Sequence, residues 1–106
     1  MKFGLKDDVI YRISEVFASF PDVNEAILYG SRAKGNFKPY SDIDLTIIGD
    51  NLTHSLLNKI REALDDLLLP VTFDVSIYSK ISSKDMLDHI ERVGIPFYSK
   101  SIIAKP

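Results

Sequence analysis

The chain contains no cysteine, and that excludes both disulfides and any cysteine-based metal site. It has two histidines, His54 and His89. They share no metal-ligand spacing, and each reads as a surface residue of a helix. No run approaches the ~20 apolar residues of a membrane span, and no charged-then-apolar leader opens the chain. The excess of charge is small and negative, a formal −2. A general nucleic-acid surface is normally basic, so none is expected here. Repeats, low-complexity tracts and internal linkers are also missing. What remains is an ordinary globular composition, 45% hydrophobic and 26% charged, over 106 residues. That length supports one core and predicts a single cytoplasmic domain over residues 1–106.

The informative segment runs from Leu28 to Ile48, LYGSRAKGNFKPYSDIDLTII. A Gly-Ser pair, Gly30 and Ser31, ends one apolar run. Ten residues separate that pair from Asp42-Ile43-Asp44, which opens a second. In an extended chain, residues i and i+2 project to the same side. Asp42 and Asp44 are therefore neighbours, roughly 6.5–7 Å apart at Cα by strand rise. Ile43, Leu45 and Ile47 point to the opposite face, as core. Two acids that close repel and raise each other's pKa unless a cation lies between them. Mg²⁺ answers that need, because it takes oxygen ligands and often uses one or two carboxylates plus substrate phosphates. An isolated Asp-x-Asp also describes a polar turn and a solvated strand residue.

A third acid shifts the balance toward chemistry. Val71, Phe73, Val75 and Ile77 alternate along one face, and Asp74 falls on the other at the centre of the strand. Aspartate is depleted in strands, so this position asks for a reason. If the Asp74 strand lies beside the Asp42–Ile48 strand, three carboxylates share one side. Such a cluster suits a two-metal site. Opposite in charge is the Gly30-Ser31 turn, where Ser31 is expected to cap a short helix through Arg32, Ala33 and Lys34. Free amides at such a helix start attract phosphate. Arg32 adds a candidate bidentate contact, with Lys34 and Lys38 as nearby point charges.

The pattern Gly30-Ser31, ten residues, Asp42-x-Asp44 and a later strand Asp74 resembles the minimal nucleotidyltransferases of the DNA polymerase β superfamily. GSRAKG and SDIDL are close to the form seen in small prokaryotic members. The resemblance spans about residues 24–78, and Lys34 stands where an Arg is often found. It implies a Mg²⁺-dependent nucleotidyltransferase. Gly30 and Ser31, with Arg32, would hold the triphosphate of ATP, and Asp42, Asp44 and Asp74 would bind two Mg²⁺ ions. Asp74 would also help activate the attacking hydroxyl. Larger members carry an acceptor-binding domain, for which few residues are left here. Small members are commonly paired with a separate all-helical partner of the HEPN type. Some are antitoxins that move AMP from ATP to a tyrosine of that partner, and this is the leading role implied. Two alternatives stay open: transfer to a small molecule such as an aminoglycoside, and a non-catalytic module that masks its partner.

The remaining segments read as scaffold. Helical spacing covers Leu5 to Phe20 and about Thr53 to Leu68, and a third helix starts at Ser82 or Ser83 and ends at Gly94. Ile95-Pro96-Phe97-Tyr98 is either a short last strand or an extended edge segment. The order predicts an α+β fold, a small mixed sheet packed with helices. Tyr29, Tyr40 and Tyr78 are candidate nucleoside contacts, and Phe97, Ile102 and Ile103 a candidate partner surface.

Overall fold

The apolar stripe that begins at Leu5 folds as helix α1, Asp7–Ala18, burying Ile13 and Phe17 completely. Asp7 and Asp8 lie in its first turn, where the helix dipole favours acids. These observations come from a computed structural model that describes residues 1–100. The expected surface residues Ile102 and Ile103 lie outside the described residues.

Strand β1, Val23–Tyr29, follows α1 and runs straight into the short helix α2, Gly30–Lys34. Strand β2, Ile43–Gly49, returns antiparallel to β1. Helix α3, His54–Asp65, then crosses to strand β3, Phe73–Ile77, which lies parallel to β2. Thr53 caps α3 by accepting the Leu56 amide at 3.1 Å. The helix stops three residues short of the expected Leu68, which adopts a left-handed φ of 55° and ends the helical path. A 3-10 turn at Tyr78–Lys80 precedes helix α4, Lys84–Val93, which is capped by Ser83. Residues 95–98 do form a strand: β4, Ile95–Ser99, pairs antiparallel with β1.

The sheet is mixed, in the order β3-β2-β1-β4, so the α+β expectation holds. Alternation along the strands sorts its two faces. Ala26, Leu28, Ile43, Leu45, Ile47, Val75 and Ile77 form one buried layer with Ile13 and Phe17 of α1 and Leu57, Ile60 and Leu64 of α3. Each of the larger side chains, all but Ala26, contributes roughly 1.5–3 kcal/mol by leaving water. The opposite face carries Tyr29, Asp44, Thr46, Asp74 and Ser76, and α4 covers part of it, through the contact between Gly94 and Ile27 and that between His89 and Tyr29. Sheet edges invite pairing with other chains unless blunted. Arg61 of α3 blocks one by donating to the Val75 carbonyl at 2.9 Å, and Pro96 removes a donor from the other.

Candidate active site

Strand register assembles the site. Tyr29 of β1 lies opposite Asp44 of β2, and Asp44 lies opposite Asp74 of β3. The three form one row across the sheet, with backbones spaced about 4.8 Å apart. Asp42 stands two residues before Asp44, just outside β2, and accepts a hydrogen bond from the Thr72 hydroxyl. Asp42 and Asp74 are exposed and Asp44 is half-buried. Burial, reinforced by the charges of Asp74 and then Asp42 and opposed by Arg32, raises the Asp44 carboxyl to about 6. The same row perturbs Tyr29. Burial raises its phenol, a hydrogen bond with Ser76 opposes the rise, and Asp74 and Asp44 add to it.

Gly30 closes this row from above. Its φ of +74° is one that residues with a Cβ rarely adopt, and a Cβ there would be driven into the Asp44 carboxylate. The chain can turn out of β1 directly over Asp44 only because this position has no side chain. Gly30→Ala is expected to cost about 1–3 kcal/mol of stability from the strained backbone and to displace Asp44. The measurements are a urea denaturation midpoint and a nucleotide-binding titration. Unchanged values in both would contradict the close approach.

Alongside lies a cleft of about 420 Å³, lined by Tyr29, Gly30, Asp44 and Asp74 on the sheet side and by Ser83, Asp85, Met86 and His89 on the α4 side. Among the described residues, no three of the His, Asp and Glu side chains are gathered tightly enough to hold a metal ion by themselves. The acids are therefore not a closed cage. They fit a cation such as Mg²⁺ that arrives with its own phosphate oxygens, because one or two carboxylates then suffice. The raised Asp44 carboxyl supports that fit, since a cation in the row would offset the burial that chiefly raises it and the charges of Asp74 and Asp42 that add to it.

A sequence model of the family described as Polymerase beta, Nucleotidyltransferase matches residues 11–103. The chain belongs to this nucleotidyltransferase family. It is 32% identical over 80 residues to the probable protein adenylyltransferase MntA of Haemophilus influenzae, covering 74% of this chain and 69% of that one. Solved structures agree on the fold. A toxin-antitoxin crystal structure with AMP-PNP superposes with a TM-score of 0.71 at 17% identity, over 89% of this chain and 76% of the other. A tri-AMPylated Shewanella oneidensis HEPN toxin in complex with its MNT antitoxin gives a TM-score of 0.68 at 14% identity, over 93% and 76%. The protein is a nucleotidyltransferase with the polymerase β-like fold.

The nucleotidyltransferase departs from its sequence reading at two positions of the Gly-Ser turn. Ser31 does not cap α2. The chain leaves the extended conformation at Tyr29, so the helix starts at Gly30 and Ser31 sits inside its first turn. Arg32, expected on phosphate, turns the other way and is only 2% exposed. Its Nη1 donates to the Phe3 carbonyl at 2.8 Å, its Nε to the Ser41 carbonyl at 3.1 Å, and its Nη2 to the carbonyls of Pro39 and Ser41 at 3.2 and 2.9 Å. The Phe37 ring stacks on it, 5.3 Å from the guanidinium carbon. The guanidinium thus ties the N-terminal turn and the loop before Asp42 to α2. The residues that use up these donors are distant in the sequence or featureless loop positions, so spacing around Arg32 cannot reveal them. Lys34 and Lys38 remain exposed.

His89 is the residue the sequence reading missed. It is not a surface position of α4: its Nε2 accepts the Gly30 amide at 3.2 Å, and its ring meets Tyr29 edge-on with centroids 6.1 Å apart. A signal was available in the spacing of Ser83, Met86 and His89, a stripe at three-residue intervals that neighbours the buried Ile90 on the helix. His54 is exposed, as expected. Of the three tyrosines, only Tyr29 reaches the cleft. Tyr78 lines a separate depression and Tyr40 is 74% exposed on its loop. Phe97 packs near Phe3, with ring centroids at 6.1 Å.

Proposed function

We propose that this nucleotidyltransferase moves AMP from ATP, held with Mg²⁺, onto a tyrosine hydroxyl of an all-helical HEPN-type partner, and so acts as an antitoxin. The observation that carries the reading is the register of Asp44 and Asp74 on adjacent strands beneath the Gly30 turn. It unites an acidic row with a backbone suited to phosphate, and the two are complementary in charge. The relative named as a probable protein adenylyltransferase supports adenylyl transfer. The neighbours described with AMP-PNP and with an AMPylated HEPN toxin support the donor and the acceptor.

In this reading Ser31 and the amides of the Gly30 turn orient the β and γ phosphates. Asp42 and Asp44, with phosphate oxygens, would hold one Mg²⁺, and Asp74 would help hold a second. Bound Mg²⁺ would offset charge on the leaving pyrophosphate and lower the pKa of the attacking hydroxyl. Asp74 is exposed at the mouth of the row, where an acceptor hydroxyl carried by another protein can approach it. The attacking oxygen forms the new bond to the α-phosphorus as the bond to pyrophosphate breaks, and its proton passes to the carboxylate side of the site. The chain forms no covalent intermediate, so positioning and electrostatics supply the rate. Among the described residues, no helix is long and apolar enough to cross a membrane.

The test combines α-labelled ATP, Mg²⁺ and the protein encoded beside this one. Label is expected on the partner with the intact chain and absent with Asp42→Asn. Binding of the two proteins without label from any of the four nucleoside triphosphates would replace transfer with masking.

A further inference from the structure

We infer that His89 is a positioning residue of the nucleotide site, a latch that holds the Gly30 amide until a phosphate oxygen takes it. The inference rests on the reading that the Gly30-Ser31 turn receives a triphosphate, and it adds a residue from α4 to that site. Three observations carry it. The Gly30 amide, the backbone donor directly above Asp44, is not free: it donates to His89 Nε2 at 3.2 Å. The imidazole is fixed from a second direction by its edge-on contact with Tyr29, itself in the acidic row. Both rings line the 420 Å³ cleft beside Asp44 and Asp74, so the latch stands in the path of any ligand entering there.

The chemistry of the contact sets its direction. An imidazole nitrogen that accepts an amide carries no proton, so the ring proton of His89 resides on Nδ1. The bond is neutral on both sides and long within its class, whereas an amide donating to a phosphate oxygen makes a charge-assisted bond, shorter and roughly twice as strong. A triphosphate therefore displaces the imidazole. Once displaced, His89 leaves its nitrogen facing the cleft. The latch also lowers apparent affinity, because every binding event must first break it. It keeps the amide of an empty site satisfied in return, where a half-buried donor without a partner would be costly.

The experiment uses the full chain, inorganic tripolyphosphate and non-hydrolysable ATP, each with Mg²⁺, and the variants His89→Phe and His89→Gln. Phenylalanine keeps the edge contact with Tyr29 and removes the acceptor, and glutamine keeps an acceptor. Titration calorimetry is expected to show His89→Phe binding both ligands roughly twofold to tenfold more tightly than the wild type, the range of one ordinary hydrogen bond. His89→Gln should stay near the wild type. Nitrogen-15 NMR of the unliganded protein should find the Nδ1–H tautomer at His89, and ligand should shift the Gly30 amide and release the ring. Equal or weaker binding by His89→Phe, or a Gly30–His89 bond that survives saturation, would overturn the latch. An Nε2–H tautomer overturns it alone. A wild type that binds neither ligand overturns the nucleotide reading as well.

Discussion

Asp44→Asn is expected to abolish nucleotidyl transfer, by on the order of 10³-fold or more, while raising the melting temperature above pH 6. The two effects have one origin. Asp44 sits half-buried between Asp42 and Asp74, so its charge is useful to a cation and costly to the empty fold. The pH dependence follows from its carboxyl, raised to about 6 in the folded chain. As pH climbs from about 4, the unfolded chain releases this proton first and the folded chain retains it. Folding stability therefore falls with rising pH between about 4 and 6, and the penalty is complete above 6. Asparagine carries no such penalty. The variant and wild type should melt together below pH 4 and diverge by a few degrees above pH 6. Melting curves across that range, paired with the label assay, make the check. An asparagine variant that is less stable at pH 8, or that still transfers label at a comparable rate, would remove Asp44 from the centre of the site.

Arg32→Ala is expected to give the largest stability loss of any single substitution in the Gly-Ser turn, about 3–5 kcal/mol. A small domain holds only about 5–15 kcal/mol in total, so part of the population should unfold at growth temperature. Removing the guanidinium strips the carbonyls of Phe3, Pro39 and Ser41 of their donor and empties the space against Phe37. Space there is already tight, since a Cβ at Gly4 would strike both the Phe37 ring and the guanidinium. Lysine cannot replace a fork that serves three carbonyls, so Arg32→Lys should recover about half of the loss. Urea denaturation of both variants, with ATP titrations on the folded fraction, separates two roles. A lysine variant of full stability but weakened ATP binding would return Arg32 to the phosphate. The expected result is the reverse: lost stability first, with binding weakened only as the loop before Asp42 loosens.

These expectations trace how the site is encoded. Its acids were legible because two local rules expose them. Asp42 and Asp44 share a face by strand alternation, and Asp74 breaks a β-branched run at a position where aspartate is disfavoured. Gly30 was legible as a turn because an apolar run stops on it. The helices and core stripes followed the same periodicities, and Ile13, Phe17, Leu45, Ile47, Ile60 and Leu64 are all buried as their spacing implied. Helix ends were read less well. The αL conformation of Leu68 and the early start of α2 at Gly30 depend on how the chain must turn to reach its next strand.

What local order alone determines in this protein is therefore the inventory: four carboxylate and glycine positions of the site, three long helices, and strands with one apolar face each. Pairing lay beyond it. That β3 lies parallel beside β2 with Asp74 opposite Asp44, rather than one residue out of step, is decided by the packing of α3 and the buried layer beneath, since a slip would turn Val75 and Ile77 into water. The partners of long polar side chains were equally out of reach. Arg32 and His89 each face one obvious use from sequence, phosphate for the first and solvent for the second. Only the fold brings Phe3 and Ser41 to the guanidinium and Gly30 to the imidazole, because hydrogen bonds between residues as far apart as Gly30 and His89 leave no local pattern.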